Sequence, residues 1–335
     1  MQRQKRRQKN RKIPLEHIPD EIVLEILSWL PVRDVLRFKT VCKLWRGIAS
    51  EPTFLNIHTS RAPSLRPLVM VSYGDLNRGQ YLYCAGVSNG LMCFQNRDKS
   101  FTITNPAIRK SLRLPPVHRT SLEPSFCYIP STGEYKIANF FYSPGRDKYV
   151  CEVLKVGKTE ASFQPREIEV PTLLRHILRC NFALKTGTMS HFFRTLQSSI
   201  EIATFDLETE VFRSKSIPLS RFNVRSLEEK FVWDDRLCLA SVVKNKLIAF
   251  VLEDYERDEW RKQEVVLPIK SEEFEEKITP LLFEENNLQL RMGMNKIVVY
   301  NIRNGQIETT AYDCKYVTSV VPHRKPTLVA FHGMI

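Results

Sequence analysis

No run of about 18 or more apolar residues occurs in this chain, so no transmembrane helix and no membrane partner are expected. The basic N-terminus leads into no apolar segment of the kind a secretory signal needs, so none is expected there. No two cysteines form a CxxC pair, and no histidine pair has metal-ligand spacing. The eight cysteines, Cys42, Cys84, Cys93, Cys127, Cys151, Cys180, Cys238 and Cys314, stand singly. That is the pattern of buried free thiols in a reducing compartment, and no metal or other cofactor is expected. GxSxG, HExxH, P-loop and GxGxxG motifs are all missing. Asp234-Asp235 and Glu272-Glu273 adjoin in sequence, but glycosidase geometry depends on separation in space. Intrinsic catalysis is therefore not expected, although a fold alone does not exclude it.

What is present is an ordinary globular composition: 335 residues, 43% hydrophobic and 26% charged. The length suggests two domains. The net charge of +13 is unevenly placed. Residues 1–12, MQRQKRRQKNRK, carry seven basic groups and no acid, and read as a disordered basic tail. Such a tail is either a nuclear-import or nucleic-acid-contacting patch or simply a solvated end. It makes the nucleus, the cytoplasm, or both the expected location. Residues 13–60 hold five basic and six acidic groups, which leaves +7 for 61–335. That mild excess suits an acidic or phosphorylated partner better than it argues for nucleic acid.

The chain is organised around residues 13–49. Within Ile22–Leu30 only Glu25 and Ser28 break an apolar run of Ile22, Val23, Leu24, Ile26, Leu27, Trp29 and Leu30. A helix apolar nearly all round must be covered nearly all round. Pro19 suits the first helical position, Asp20 and Glu21 place negative charge in the first turn, and Pro31 stops the helix near Leu30. A second helix fits Arg33–Lys39. A third fits Val41–Ala49, where Val41, Leu44, Trp45 and Ile48 recur at helical spacing. Three helices in about forty residues seldom hold a core alone, and a partner is the usual remedy. The alternative is a private core inside a helical cap, which leaves the all-round apolar helix unexplained.

The order Ile18-Pro19-Asp20-Glu21, Leu24, Ile26-Leu27, Leu30-Pro31, Asp34, Leu36, Val41-Cys42-Lys43 and Trp45 resembles an F-box. That family's motif docks on the Skp adaptor of cullin-RING ubiquitin ligases. The resemblance implies that Ile18, Pro19, Leu24, Leu27, Leu30, Pro31, Leu36, Val41, Cys42 and Trp45 are adaptor-facing or motif-defining. Ile18 stands where the family more often has leucine, which keeps bulk and apolarity.

Arg61–Pro67, RAPSLRP, is a proline-interrupted joint between the head (13–60) and the body (61–335). Beyond it short strand-like runs take over, separated by turn signals. They are Leu68–Tyr73, Tyr81–Ala85, Gly90–Gln95, Phe101–Thr104, Glu134–Phe141, Tyr149–Val156, Ser199–Asp206, Leu237–Val243, Leu247–Leu252, Glu264–Leu267, Gln289–Met292, Lys296–Asn301 and Leu328–Phe331. A strand–turn–strand pattern ending in an apolar-proline corner recurs at 93–116, 204–220 and 251–268, and without the proline at 299–313. From Phe205 to Leu252 to Tyr300 the steps are 47 and 48 residues. A period near ~50 is that of kelch-like propeller blades, although the kelch double glycine is absent. The fold class expected is α plus all-β: a three-helix head, then a β-propeller-like body of five to six blades. The Leu68–Tyr73 strand would close the ring. A pair of β-sandwiches is the alternative.

The body also resembles the plant F-box-associated domain. Ser88-Asn89-Gly90-Leu91 matches its first strand motif, and Asn105-Pro106-Ala107 with Arg109 matches the following turn. Thr104 stands where an aromatic is usual. Phe126-Cys127-Tyr128-Ile129-Pro130 and Glu134-Tyr135-Lys136-Ile137 resemble its next strand pair. Arg236–Leu239, Val251-Leu252-Glu253-Asp254 and Glu259-Trp260 resemble its later half. Each of these also has a structural reading, as turn or packing residues; Trp260 reads as blade packing. Taken together, the resemblances imply a non-catalytic substrate receptor of a ubiquitin ligase. Its partners would be a Skp-type adaptor, a cullin through it, and a target protein held by the body. The runner-up is a non-ligase module binding nucleic acid or a glycoprotein.

Overall fold

The computed structural model describes residues 18–62, 68–72, 81–117, 124–156, 165–178, 183–224, 226–268, 277–293, 296–311, 316–321, 327–331 and 334. The basic tail 1–12, Cys180, Cys314 and most of Glu272–Lys277 lie outside them. The chain divides into two compact units, residues 1–62 and 63–335.

The first unit holds four helices: α1 (Asp20–Ser28), α2 (Val32–Phe38), α3 (Lys43–Ile48) and α4 (Pro52–Arg61). Pro19 is extended, with ψ 144°, and caps α1 rather than starting it. At the other end the amides of Trp29 and Leu30 donate to the carbonyls of Ile26 and Leu27, three residues back. This tightened turn ends the helix before Pro31, whose missing N–H suits the cap of α2. Cys42, also extended, caps α3: its Sγ accepts the Trp45 N–H at 3.4 Å. The expectation of three helices is one short. Pro52 turns Glu51 extended, as expected, but then itself serves as the first residue of α4. Val23, Leu27, Val32, Val35, Ile48 and Phe54 form the unit's buried core.

The second unit begins with β1 (Leu68–Ser72) and continues as four-stranded antiparallel sheets in chain order, of which the fourth and fifth are joined by one short parallel strand pairing into a single eight-stranded sheet. Sheet one is β2 (Tyr81–Ser88), β3 (Leu91–Asn96), β4 (Phe101–Asn105) and β5 (Lys110–Arg113). Sheet two is β6 (Ser125–Ile129), β7 (Glu134–Ser143), β8 (Lys148–Val156) and β9 (Arg166–Glu169). A short helix, α5 (Arg175–Leu178), precedes sheet three: β10 (Ala183–Thr186), β11 (Met189–Thr195), β12 (Ser199–Asp206) and β13 (Val211–Pro218). Sheet four is β14 (Glu229–Trp233), β15 (Arg236–Val243), β16 (Lys246–Asp254) and β17 (Glu259–Val266). Sheet five is β18 (Ile278–Glu284), β19 (Asn287–Met292), β20 (Lys296–Asn301) and β21 (Ile307–Ala311). The last strand, β22 (Tyr316–Val321), pairs antiparallel with β1, so the two ends of the strand series meet.

First strands of neighbouring sheets run side by side where β2 meets β6, β10 meets β14 and β14 meets β18, as the inner strands of propeller blades do. β14 and β18 pair in parallel, Val232 with Leu282 and Trp233 with Phe283. β2 and β6 approach so closely that a Cβ on Gly86 would lie 2.7 Å from the Phe126 carbonyl oxygen. The hydrophobic cores lie between sheets. One joins Leu91, Phe101 and Ile103 to Phe126, Tyr135 and Ile137; the next joins Phe140 and Val153 to Phe192 and Phe205. A third joins Ile200 and Ile202 to Leu239 and Phe250, and a fourth joins Phe231 and Val251 to Phe283 and Leu290. A sheet covered on both faces needs apolar residues at consecutive positions. Phe192 and Phe193, Ile202 and Ala203, and Leu239 and Ala240 are such pairs, one member in each neighbouring core.

The 47- and 48-residue steps mark third strands: Phe205, Leu252 and Tyr300 lie on β12, β16 and β20. Each of those strands, and β4, ends in an Asn or Asp whose Oδ1 turns the chain. Asn105 accepts the Ala107 N–H, and Asp206 accepts that of Glu208. Asp254 accepts from Glu256 and Arg257, and Asn301 from Arg303 and Asn304. The repeated sign is therefore an Asx turn rather than a glycine pair.

Candidate functional site

The body residues singled out from the sequence have structural work. Asn89 and Gly90, at φ 46° and 80°, form the tight turn between β2 and β3. Asp234 and Asp235 form the equivalent turn between β14 and β15, at φ 45° and 58°. Asp235 Oδ1 accepts the Gly187 N–H at 2.9 Å, and burial pushes its carboxyl above the ordinary value against that bond. Trp260 packs edge-on against Phe222 at 5.4 Å, and its indole N–H donates to Asp258. Arg109 occupies a left-handed position, φ 54°, at the end of its turn. Among the described residues no group of three or more His, Cys, Asp or Glu is placed to hold a metal ion. No described helix is long and apolar enough to cross a membrane.

The first unit differs in that its apolar residues outnumber its interior positions. At 3.6 residues per turn, Ile22 and Ile26 fall on one stripe of α1, continued by Trp29 at its C-cap, and Val23 and Leu27 fall on another. Val23 and Leu27 are buried, whereas Ile18, Ile22 and Ile26 are half exposed and Trp29 is 65% exposed. Val41 and Leu44 add two more exposed apolar side chains before and within α3. Isolated exposed apolar residues are unremarkable, but six within 27 residues, three of them on one helical stripe, make an exposed apolar face among the described residues.

The ten positions named from the sequence are distributed over this face and the core beneath it. Ile18, Pro19, Pro31, Val41 and Cys42 are exposed, and Leu24, Leu30, Leu36 and Trp45 are half-buried. Leu27 is 2% exposed, so its side chain belongs to the unit's own packing. Trp45 stacks edge-on with Phe38 at 5.2 Å. Ile22, Ile26, Trp29 and Leu44 lie outside those ten; for the first three, helical spacing is the signal that separates outward from inward residues. The corner at Leu30-Pro31 is held from α4. His58 is buried, and its Nε2–H donates to the Leu30 carbonyl at 2.8 Å. Burial lowers the His58 pKa, partly opposed by that bond, so the ring is neutral in the folded unit.

Comparison with known proteins gives two family matches. The F-box-like family matches residues 15–56, and the F-box associated beta propeller domain family matches residues 53–287. "F-box protein At5g65850" of Arabidopsis thaliana is 26% identical over 291 residues, covering 75% of this chain and 71% of that one. "Putative F-box protein At1g31000" of the same plant is 28% identical over 222 residues, covering 62% of this chain and 58% of its own length. "Putative F-box protein At3g52320" is 23% identical over 314 residues, covering 81% and 79%.

Proposed function

The chain belongs to the F-box-associated β-propeller family, and from that premise we propose that it is the substrate-recognition subunit of a Skp–cullin–F-box ubiquitin ligase. The observation that carries this reading is the exposed apolar face of the first unit, within the segment matched by the F-box-like family. Ile22, Ile26 and Val41 present aliphatic surface that a Skp-type adaptor would bury, with Trp45 and Leu36 partly exposed beside it. A stable interface of this kind removes on the order of 1,200–2,000 Å² from water. The cullin is reached through the adaptor.

The β-body binds the target protein, through loops carried by a rigid stack of sheets. Holding a target next to a ubiquitin-charged conjugating enzyme raises its effective concentration at the reactive thioester. The bond-forming cysteine belongs to another chain, and this chain contributes binding and placement. A mildly basic body, +7 over residues 61–335, favours acidic or phosphorylated targets.

The test is capture of a purified plant Skp-type adaptor by the full-length protein and by an Ile22→Asp/Ile26→Asp variant. Both positions are exposed, so the variant keeps its fold. Placing two carboxylates in a buried apolar interface weakens adaptor capture at least a hundredfold. Equal capture by the variant would refute docking through this face.

A further inference from the structure

The largest exposed apolar side chain of the first unit, Trp29, is held in place rather than left free to rotate. Its indole N–H donates to Glu25 Oε1 at 3.0 Å. The Arg61 guanidinium lies over the ring, 4.6 Å from its centroid. Arg61 is itself fixed from below: Nη1 pairs with Glu25 Oε2 at 2.8 Å and donates to Ser28 Oγ. The Ser28 hydroxyl in turn donates to the Glu25 carbonyl at 2.7 Å, back within α1. Hydrogen bonds from Arg61 and then from Trp29 keep the Glu25 carboxyl below its ordinary pKa, so it is ionised throughout the physiological range.

These contacts form a closed circuit between the last residue of α4 and the last turn of α1. A cation over an indole face at an exposed site adds little to stability. The consequence for binding is larger. Ordering a free side chain at an interface costs conformational entropy, and that cost is absent where the rotamer is already set. An exposed tryptophan with a fixed rotamer, on the same stripe as Ile22 and Ile26, has the character of a binding anchor.

We propose that Trp29, locked by Glu25 and Arg61, is an affinity-determining anchor for the Skp-type adaptor, and that Arg61 is a positioning residue acting through it. This rests on the receptor reading above. It extends the docking surface to α4, whose C-terminal end lies beyond the stretch matched by the F-box-like family. The occupant is the adaptor because Trp29 continues the apolar stripe of that face and lies beside the Leu30-Pro31 corner.

The experiment titrates purified plant Skp-type adaptor against the full-length chain as wild type, Trp29→Ala, Arg61→Ala, Arg61→Lys and the Trp29→Ala/Arg61→Ala double variant. Unfolding midpoints are measured for each. Trp29→Ala is expected to weaken binding at least tenfold and Arg61→Ala three- to tenfold. Arg61→Lys keeps the ion pair with Glu25 but loses the planar stack, and falls between Arg61→Ala and wild type. The double variant binds like Trp29→Ala alone, because Arg61 has nothing left to position. Wild-type binding with Trp29→Ala within twofold of it would overturn this proposal and leave the receptor reading standing. A penalty for Arg61→Ala that persists undiminished without Trp29 would overturn the positioning role. Unchanged adaptor affinity with a lowered unfolding midpoint in Trp29→Ala would show that the ring serves only the unit's own stability, and would also overturn it. No binding by the wild type would sink the receptor reading itself.

Discussion

Single buried polar residues show how tightly the sheets are specified. His191 on β11 is buried, with Thr186 Oγ1 2.8 Å from Nε2 and Thr204 Oγ1 2.9 Å from Nδ1. A neutral imidazole is satisfied here, donating to one hydroxyl and accepting from the other. Burial brings its pKa down to about 4, against about 6.5 in an unfolded chain. Between those values the unfolded chain binds the proton and the folded one does not, so stability falls as pH drops through this window and levels off below it. The loss is on the order of 3 kcal/mol. Urea midpoints measured from pH 7 to pH 5 are expected to fall in the wild type and to fall less in His191→Gln. Equal slopes would refute the assignment. The same scale separates Leu27 from Ile22. Both belong to one apolar run, and only helical phase decides that the first is packed inside and the second faces out.

At the scale of elements, the C-terminal segment is tied to the first sheet by side chains, Asn105 foremost. Asn105, buried at the end of β4, donates from Nδ2 to the carbonyls of Thr327 and Val329 at 2.9 and 2.8 Å. Val329 and Phe331 pack on the core between sheets one and two, and Lys110 Nζ reaches the Met334 carbonyl. The Leu328–Phe331 stretch, expected as a strand, is thus an irregular strap, because a side chain takes the place of a ladder. Asn105→Ala leaves two carbonyls without that donor, and is expected to cost about 2 kcal/mol or more. Limited proteolysis should then cut near residue 327 in the variant first. An unchanged urea midpoint with unchanged protection would contradict this.

How well elements could be read follows their surroundings. Middle strands such as β12, β16 and β20 are packed on both faces and read as apolar runs. The outer strands β13 and β21, VFRSKSIP and IETTA, are largely exposed and carry little pattern. β18 contains Pro280, which argues against a strand, and the chain accommodates it at a register shift beside that residue. The turn at Glu285-Asn286 takes positive φ at both positions without a glycine to announce it. α4 has no strong apolar periodicity. It is held instead by the buried Phe54 and by His58 and Arg61, whose partners lie near the end of α1 and are invisible in local sequence.

For the whole molecule, two units divide the labour. One buries its few core residues and leaves an apolar face open. The other stacks sheets so that nearly every apolar residue finds a neighbouring sheet. Charged turns bind one sheet to the next. The buried Lys136 of sheet two donates to Glu210 at 2.8 Å and to the Leu207 carbonyl at 3.0 Å in sheet three. In the same way Lys215 and Arg221 pair with Asp258 of sheet four. Such latches fix one sheet against the next and stiffen the turns that carry them. The Asx turns of the body were legible because four of its sheets repeat them, whereas the remaining loops carry no such repeat.

The central claim is that this chain joins a ligase through its helical unit. It is tested most directly by mixing the full-length protein with purified plant Skp-type adaptor and cullin and measuring the mass of the eluting species. The account predicts a stable ternary complex that requires the adaptor and is lost in Ile22→Asp/Ile26→Asp. Elution of the wild-type chain alone, at micromolar concentrations of all three, would contradict it.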